Sequence, residues 1–347
     1  MSQDADALFK QGIQEYQGGN LEGAKSLWEQ ALSIYRSLEN AQRQGAALGN
    51  LGAVSQALGR VEEAIAYYKQ HLSLAQDVGD LPGQRNALNN LGNAYSSLPD
   101  FPQALTYYQQ EWVVAQEWGD LLLQGQALFN LRQVYKVMQD RDTEQRCLEE
   151  QWAIAKQLLE KQPQDILDIA QQVGLNPLSD FAGANLAQMN FHYANLGGAN
   201  LSETNLSGAD LSLADLSHAQ LSHANLEKAI LSNANLRDAN LQYANLQGAD
   251  LRTILPRADL SDANLEAANL SGAYLQRADL SRANLAQANL SYADLTDVNL
   301  QEAQLTGALL KQANIDKANV NQAYFKDNPK LSSALKQHLR DKGAIVE

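Results

Sequence analysis

Apolar residues recur along this chain with two different periods. In the first half they follow helical spacing in paired blocks, such as Ala87, Leu88, Leu91, Ala94, Tyr95 and Leu98, then Ala104, Leu105, Tyr108, Trp112 and Ala115, a pattern that predicts amphipathic helices two at a time. From Phe181 onward a large apolar residue falls at every fifth position. A period of five matches neither the 3.6 of a helix nor the 2 of a strand, so neither element would hold these residues on one face. The Asn, Asp, Ser and Gly between the leucines also argue against helix. A turn in every unit resolves the conflict: the central Leu and the Ala two before it point inward, and the Asn or Asp between them points out.

The helical half repeats every 40 residues. Gly12, Gly52 and Gly92 keep this step, as do Leu51, Leu91 and Leu131, Asn50, Asn90 and Asn130, and Ala24, Ala64 and Ala104. Four units result, roughly 1–40, 41–80, 81–120 and 121–160, each a helical hairpin with turns such as Gly18-Gly19-Asn20 and Leu98-Pro99-Asp100. Gly52, Gly92, Ala64 and Ala104 are expected to let paired helices approach closely, with Tyr68 and Tyr108 filling the space between neighbouring hairpins.

Leu-Gly-x-x-Tyr followed by Ala and a paired Tyr resembles the tetratricopeptide repeat. The 40-residue period and the Gly-Asp before a new hairpin are similar to the long subtype that binds peptides in polarity scaffolds and kinesin light chains. The first unit lacks the Leu-Gly pair, and the fourth has Arg132 in the glycine position and Glu144 in the alanine position; degenerate terminal units are usual in solenoids. The resemblance implies a superhelix whose first helices line a concave face. Asn86, Asn90 and Asn93 share one face of such a helix, Asn50 and Asn130 extend the row, and Gln126 and Gln133 lie near it. Each carboxamide offers a donor and an acceptor to an extended peptide backbone, and the resemblance implies that Asn50, Asn90 and Asn130 form a peptide clamp. The competing reading is that these asparagines pad a solvated helix face.

The five-residue half runs through Phe181, Leu186, Phe191 and on to Leu251, then from Leu255 to Phe325, 15 units on each side of one four-residue step. This resembles the pentapeptide-repeat family, which implies a right-handed quadrilateral β-helix with four units to a coil. Thirty units would make about 7.5 coils, ~36 Å long at the usual strand separation. The fold class expected is an α+β multidomain solenoid: a helical superhelix over 1–160, a linker and N-terminal cap over 161–180, a β-helix over 181–327 and a C-terminal capping helix and tail over 328–347. The coil length predicts outward ladders, with Asn185, Asn205, Asn225 and Asn245 stacked on one edge and His223 beside Tyr243. Between Leu251 and Leu255 one residue is lost, next to Pro256, and the expectation is a local distortion with missing ladder bonds; Arg252 and Arg257 make this the least regular surface and a candidate contact, as are His223 and Tyr243. Asp165 to Val173, between Pro163 and Pro177, reads as a short sealing helix. After Pro329, within Lys330 to Lys342, the stripe of Leu331, Leu335 and Leu339 reads as a helix capping the last coil and the route to a dimer if the protein is not a monomer.

Composition narrows the function. The 347 residues carry a net charge of -14, with 13 basic and 22 acidic residues up to Asn176 and 13 and 18 after it, so neither half is a basic nucleic-acid binder. One cysteine, Cys147, excludes an internal disulfide framework or thiolate cluster and reads as core. The acidic start and the absence of long apolar runs predict a cytoplasmic protein without membrane insertion. The histidines do not assemble with acids at triad or ligand spacing, and no phosphate loop, HExxH or nucleophile elbow occurs; no enzyme, cofactor or metal is expected. The function expected is a protein-interaction scaffold with an unknown protein or peptide partner. The alternative is a DNA mimic that inhibits a DNA enzyme such as gyrase, as some pentapeptide-repeat proteins do, although -5 on the second half is modest for mimicry. The pairing of both repeat types resembles cyanobacterial pentapeptide-repeat proteins.

Overall fold

The computed structural model describes residues 2–161, 166–329 and 331–347, so Pro163, Asp165 and Lys330 lie outside the described residues. Contacts divide the chain into two compact units, one running up to Leu158 with Gln172–Gly174, the other comprising Leu159–Gln171 and Leu175–Glu347.

The first unit contains α1 (Ser2–Gln17), α2 (Leu21–Ser37), α3 (Ala41–Ala57), α4 (Val61–Asp77), α5 (Leu81–Ser97), α6 (Phe101–Trp118), α7 (Leu121–Val137) and most of α8 (Arg141–Lys161). Helix starts recur every 20 residues, and at all but Arg60, which makes no cap bond, a polar side chain sets them: Asn20, Asn40, Asp80, Asp100 and Asp120 each accept from a first-turn N–H of the helix they precede, satisfying donors that no carbonyl reaches. The glycines allow the expected close approach of paired helices, and Tyr68, which clusters with Ala87, Leu88 and Leu91 of the next hairpin, also packs within its own. A Cβ on Gly52 or Gly92 would run into the ring of Tyr68 or Tyr108, the tyrosine of the same hairpin. Each glycine therefore seats its own hairpin's aromatic ring, and Gly12 does this for Trp28 in the first unit.

In the second unit α9 (Ile166–Gln172) begins where the short helix was expected and buries Ile166, Ile169 and Ala170. The coils follow. In the unit centred on Leu226, the Leu226 N–H donates to the Asn245 carbonyl at 2.7 Å, the Asn225 N–H to the Thr204 carbonyl at 2.9 Å, and the Lys228 N–H to the Gln247 carbonyl at 2.9 Å. These axial bonds link positions one coil apart, and parallel pairing at a 20-residue step recurs from Asn185 with Asn205 onward. The Ala229 N–H donates to the Leu226 carbonyl at 3.0 Å, closing a β-turn whose third residue, Lys228, has φ of 57°, as a type II turn requires. Four such turns bring the chain round once, giving a quadrilateral coil. The central leucines from Leu186 to Leu305 are at most 1% exposed, with their alanines beside them.

At Leu251 to Leu255 the distortion is confined to one turn: among the described residues, the axial bond that the second turn residue makes in neighbouring units, as Gly248 N–H does to the Glu266 carbonyl, and the turn-closing bond to the central Leu are both absent, while the pairing on either side persists. The pairing step drops from 20 to 19 for Asn235 with Ile254, Asn240 with Asp259, Asn245 with Asn264 and Asp250 with Asn269, then returns to 20 at Ile254 with Tyr274. The other axial bonds continue through it: Leu236 N–H to the Ile254 carbonyl is 2.7 Å and Leu255 N–H to the Tyr274 carbonyl is 2.8 Å. The lost residue is one of the two turn residues. Thr253 moves into the small inward slot, 3% exposed, and its hydroxyl donates to the Ala234 carbonyl, as Thr204 in the same slot does to Phe181. Pro256 removes a donor without loss, because in other units that N–H is met by the Asn or Asp side chain two residues earlier, as Glu227 N–H is by Asn225. Here that earlier residue is Ile254, which has no acceptor to offer.

The chain end also differs from the expectation. α10 spans Ser333–Asp341 with Ser332 as its cap, so Leu331 lies before the helix, and only Leu339 of the stripe is fully buried. Beyond it β2 (Ile345–Val346) pairs in parallel with β1 (Tyr324–Phe325), adding a strand to the last coil.

Leu226→Ala should destabilise the β-helix by about 2–5 kcal/mol, the cost of a buried cavity, and Thr253→Val by about 1 kcal/mol for one lost hydrogen bond. Pro256→Ala should leave the unfolding midpoint almost unchanged. Urea denaturation of the full chain checks all three.

Candidate functional site

The first helices of the hairpins carry the carboxamides. Asn50 on α3 and Asn90 on α5 are half-buried and, among the described residues, make no side-chain hydrogen bond. Asn86 and Asn93 on α5 and Gln126 on α7 are exposed, and Asn130 on α7 is half-buried. The structure gathers some of these around a residue that the spacing did not reveal. Glu111, on α6, is 0% exposed. Asn89 donates Nδ2 to its two carboxylate oxygens at 3.1 and 3.2 Å, Asn130 Nδ2 reaches Oε2 at 3.4 Å, and Arg85 Nε stands 3.2 Å from Oε1 without the alignment of a hydrogen bond. Arg85 also donates to Gln126 at 2.9 Å and to Asn86 at 3.2 Å. Burial raises the Glu111 carboxyl above its ordinary range, while Asn89, Arg85 and Asn130 pull it back. A single network thus joins α5, α6 and α7 beneath the amide row.

Asn93 belongs to a second cluster, accepting from the Tyr108 hydroxyl at 2.7 Å and donating to Asn89 at 3.0 Å. With Tyr108, Phe129, Asn130, Gln133 and Val134 it lines a cavity of about 480 Å³. Aromatic and aliphatic groups form its walls, and three carboxamides line it together with the hydroxyl-bearing Ser96 and Tyr108. Such a site can hold an apolar side chain while the amides bond the adjoining peptide backbone.

The sequence did carry a signal for Glu111. His71, Glu111 and Gln151 are 40 apart, in a helical phase where Ala31 stands in the first unit, and all three are buried. Gln151 donates to the carbonyls of Val173 at 2.6 Å and Gly125 at 3.3 Å. The His71 ring lies against Gly45 and Gly49, where a Cβ would meet it at 3.2 and 3.6 Å, and burial lowers its pKa. Cys147 is 7% exposed and burial pushes its thiol up to about 11, leaving it protonated at neutral pH.

On the β-helix, Arg252 donates to Asp250 at 2.6 and 2.8 Å and Arg257 Nε to Asp238 at 2.6 Å, so both arginines singled out at the four-residue step are paired within the unit. His223 and Tyr243 stack, with ring centroids 4.9 Å apart and planes 7° from parallel. The Asn ladder runs from Asn185 through Asn205, Asn225 and Asn245 and continues past the step to Asn264 and Asn284. Among the described residues, no three His, Cys, Asp or Glu side chains gather as metal ligands, and no helix is long and apolar enough to cross a membrane.

Comparison with known proteins places both repeats. The tetratricopeptide-repeat profile matches residues 43–111, and the pentapeptide-repeat profile matches 179–217, 219–254, 258–295 and 293–327. The chain therefore belongs to the pentapeptide-repeat proteins, a family of right-handed β-helices, and carries a tetratricopeptide-repeat region ahead of its five-residue coils. HetL, a pentapeptide repeat protein involved in heterocyst differentiation regulation from the cyanobacterium Nostoc, is 32% identical over 42% of this chain and 91% of its own, with a TM-score of 0.17. BtubC from P. vanneervenii is 22% identical over 44% of this chain, with a TM-score of 0.41; the chain spans 64% of its length. QnrB1, a plasmid-mediated fluoroquinolone resistance protein, is 17% identical over 49% of this chain and 86% of its own, with a TM-score of 0.31. No curated protein matches.

The raised pKa of Glu111 fixes the sign of a pH effect. The folded state holds the proton more tightly than the unfolded one, so the wild type should lose stability relative to Glu111→Gln as pH rises from the ordinary carboxyl range through the raised value. Urea midpoints of both proteins, taken from about pH 4 to about pH 7, should diverge in that direction.

Proposed function

We propose that this protein is a non-enzymatic interaction scaffold, acting in the cytoplasm as a monomer, in which the helical unit holds an extended segment of a partner protein against α3, α5 and α7. The observation that carries this reading is the cavity of about 480 Å³ with aromatic walls and the carboxamides of Asn93, Asn130 and Gln133. One apolar side chain of the partner enters it, and the amides meet the flanking peptide groups. The β-helix serves as a rigid spacer or second docking surface, because its axial bonds repeat at every unit. The pairing of Asp238, Asp250 and Asp262 with Arg257, Arg252 and Arg282 favours this role over mimicry of DNA, which needs uncompensated negative charge.

The test compares the tagged full-length protein with an Asn93→Ala, Gln133→Ala double variant after crosslinking in the native cell. Proteins recovered with the wild type should be strongly depleted from the variant. Equal recovery by both would defeat the groove assignment.

A further inference from the structure

The repeat supplies an internal standard for each of its own units. In the third hairpin Tyr95 of α5 and Tyr107 of α6 stack, with centroids 5.4 Å apart and planes 11° from parallel, and Lys69 of α4 stands over the Tyr95 ring at 5.7 Å. Adding 40 to each number gives Tyr135, Cys147 and Gln109. Tyr135 keeps its place, and Gln109 Nε2 approaches its hydroxyl at 3.4 Å where Lys69 faces Tyr95. The second ring is gone, and an amide replaces the cation. Cys147 cannot fill the volume of a tyrosine, and the structure holds a cavity of about 430 Å³ there, lined by Trp112, Leu128, Leu131, Tyr135, Cys147 and Gln109 among others.

The apolar walls follow the same register, while Asp140, Thr143, Arg146 and Glu150 form a polar and charged side of the cavity. Trp112, Leu128 and Leu131 stand one repeat after Leu72, Leu88 and Leu91, which with Tyr95 and Tyr107 belong to one packed cluster in the preceding unit. Leu128 and Leu131 keep the floor of the filled unit, Trp112 enlarges it where Leu72 stands, and the face of Tyr135 lacks the stacking partner that Tyr95 has.

We infer that this cavity is a binding site for a planar aromatic molecule, a phenol or an indole, which stacks on Tyr135 in the place that Tyr107 occupies against Tyr95. Its apolar edge rests on Leu128, Leu131 and Trp112, and Gln109 offers an amide to its polar substituent. The site is distinct from the amide-lined cavity proposed for peptide capture, and its occupancy does not depend on that reading. The protonated thiol of Cys147 is a wall of the site and no nucleophile.

The experiment uses the full-length protein with 4-methylphenol, the tyrosine side chain as a free molecule, and with indole in a parallel arm. Saturation-transfer NMR should show saturable binding of at least one of them to the wild type. Cys147→Tyr restores the missing ring, so it should abolish that binding and raise the melting temperature. Tyr135→Leu keeps an apolar wall without a stacking face and should weaken binding roughly three- to tenfold, the share an aromatic pair contributes. This second variant decides the matter should the first fail to fold. No saturable binding to the wild type up to the solubility limit of both probes, or equal binding by wild type and the folded variants, would overturn the inference.

Discussion

The coils of the β-helix depend on placing a turn residue in the left-handed region of backbone space, unit after unit, with the four-residue unit at Leu251 as an exception. Lys228, Asp238, Tyr243, Arg282 and Gln287 all have φ between 56° and 60°, where an L side chain costs on the order of 1 kcal/mol. Glycine would avoid the cost, and Gly208, Gly248 and Gly307 do. Most corners nevertheless carry a side chain, so the strain recurs along the rod. What sustains it is the column inside: each unit buries a leucine, contributing roughly 1.5–3 kcal/mol, and adds the axial bonds of its backbone. Corner and core are therefore one device. A polar residue at a central position would remove the driving force from the turns on either side of it.

That coupling explains how the rod tolerates one missing residue. The deletion falls in a turn and leaves the inward positions occupied, with Thr253 standing for Ala and Leu255 for the central Leu. The sequence made the four-residue step plain, and the axial bond of the lost turn residue is absent as expected, but the expectation of a further loss at Pro256 assumed that all backbone donors in a unit are equivalent. They are not. Some reach the next coil, whereas the one that Pro256 lacks is served in other units by a local Asx side chain. This division of roles is visible only once the turn is built.

In the helical unit, legibility ran the other way. Period, hairpins and the close approach of paired helices at Gly52 and Gly92 could be read from spacing alone, whereas the tyrosine that each glycine seats could not, because contact within a hairpin and contact between hairpins produce the same 40-residue step. The amide row was legible as a row of residue types. What organises part of it was missed, since Glu111 lies in an apolar helical phase and was masked by its neighbours Trp112 and Ala115. A buried carboxylate needs donors, and Asn89, Asn130 and Arg85 provide them. Asn130 therefore has a structural task that Asn50 and Asn90 do not share, and residues identical in type and register differ in what they are free to bind.

The two repeats also differ in what a substitution does. In the β-helix, side chains on the ladder columns are committed along the axis, as Asn205 is to Asn185 and Asn225 to Asn205, so variation is concentrated at the exposed corners, where Tyr193, Tyr243 and Tyr292 project. Changing a corner alters a surface and leaves the core filled. In the helical hairpins a register position faces the interior between two or three helices, so a change of residue there alters packing directly. His71, Glu111 and Gln151 fill one such position with three different polar groups, and each recruits different neighbours; Tyr107 and Cys147 fill another with a ring and a thiol, and the smaller one opens a cavity. A helical repeat can thus generate chemically distinct recesses from one backbone plan, which a five-residue coil with a continuous leucine core has no room to do.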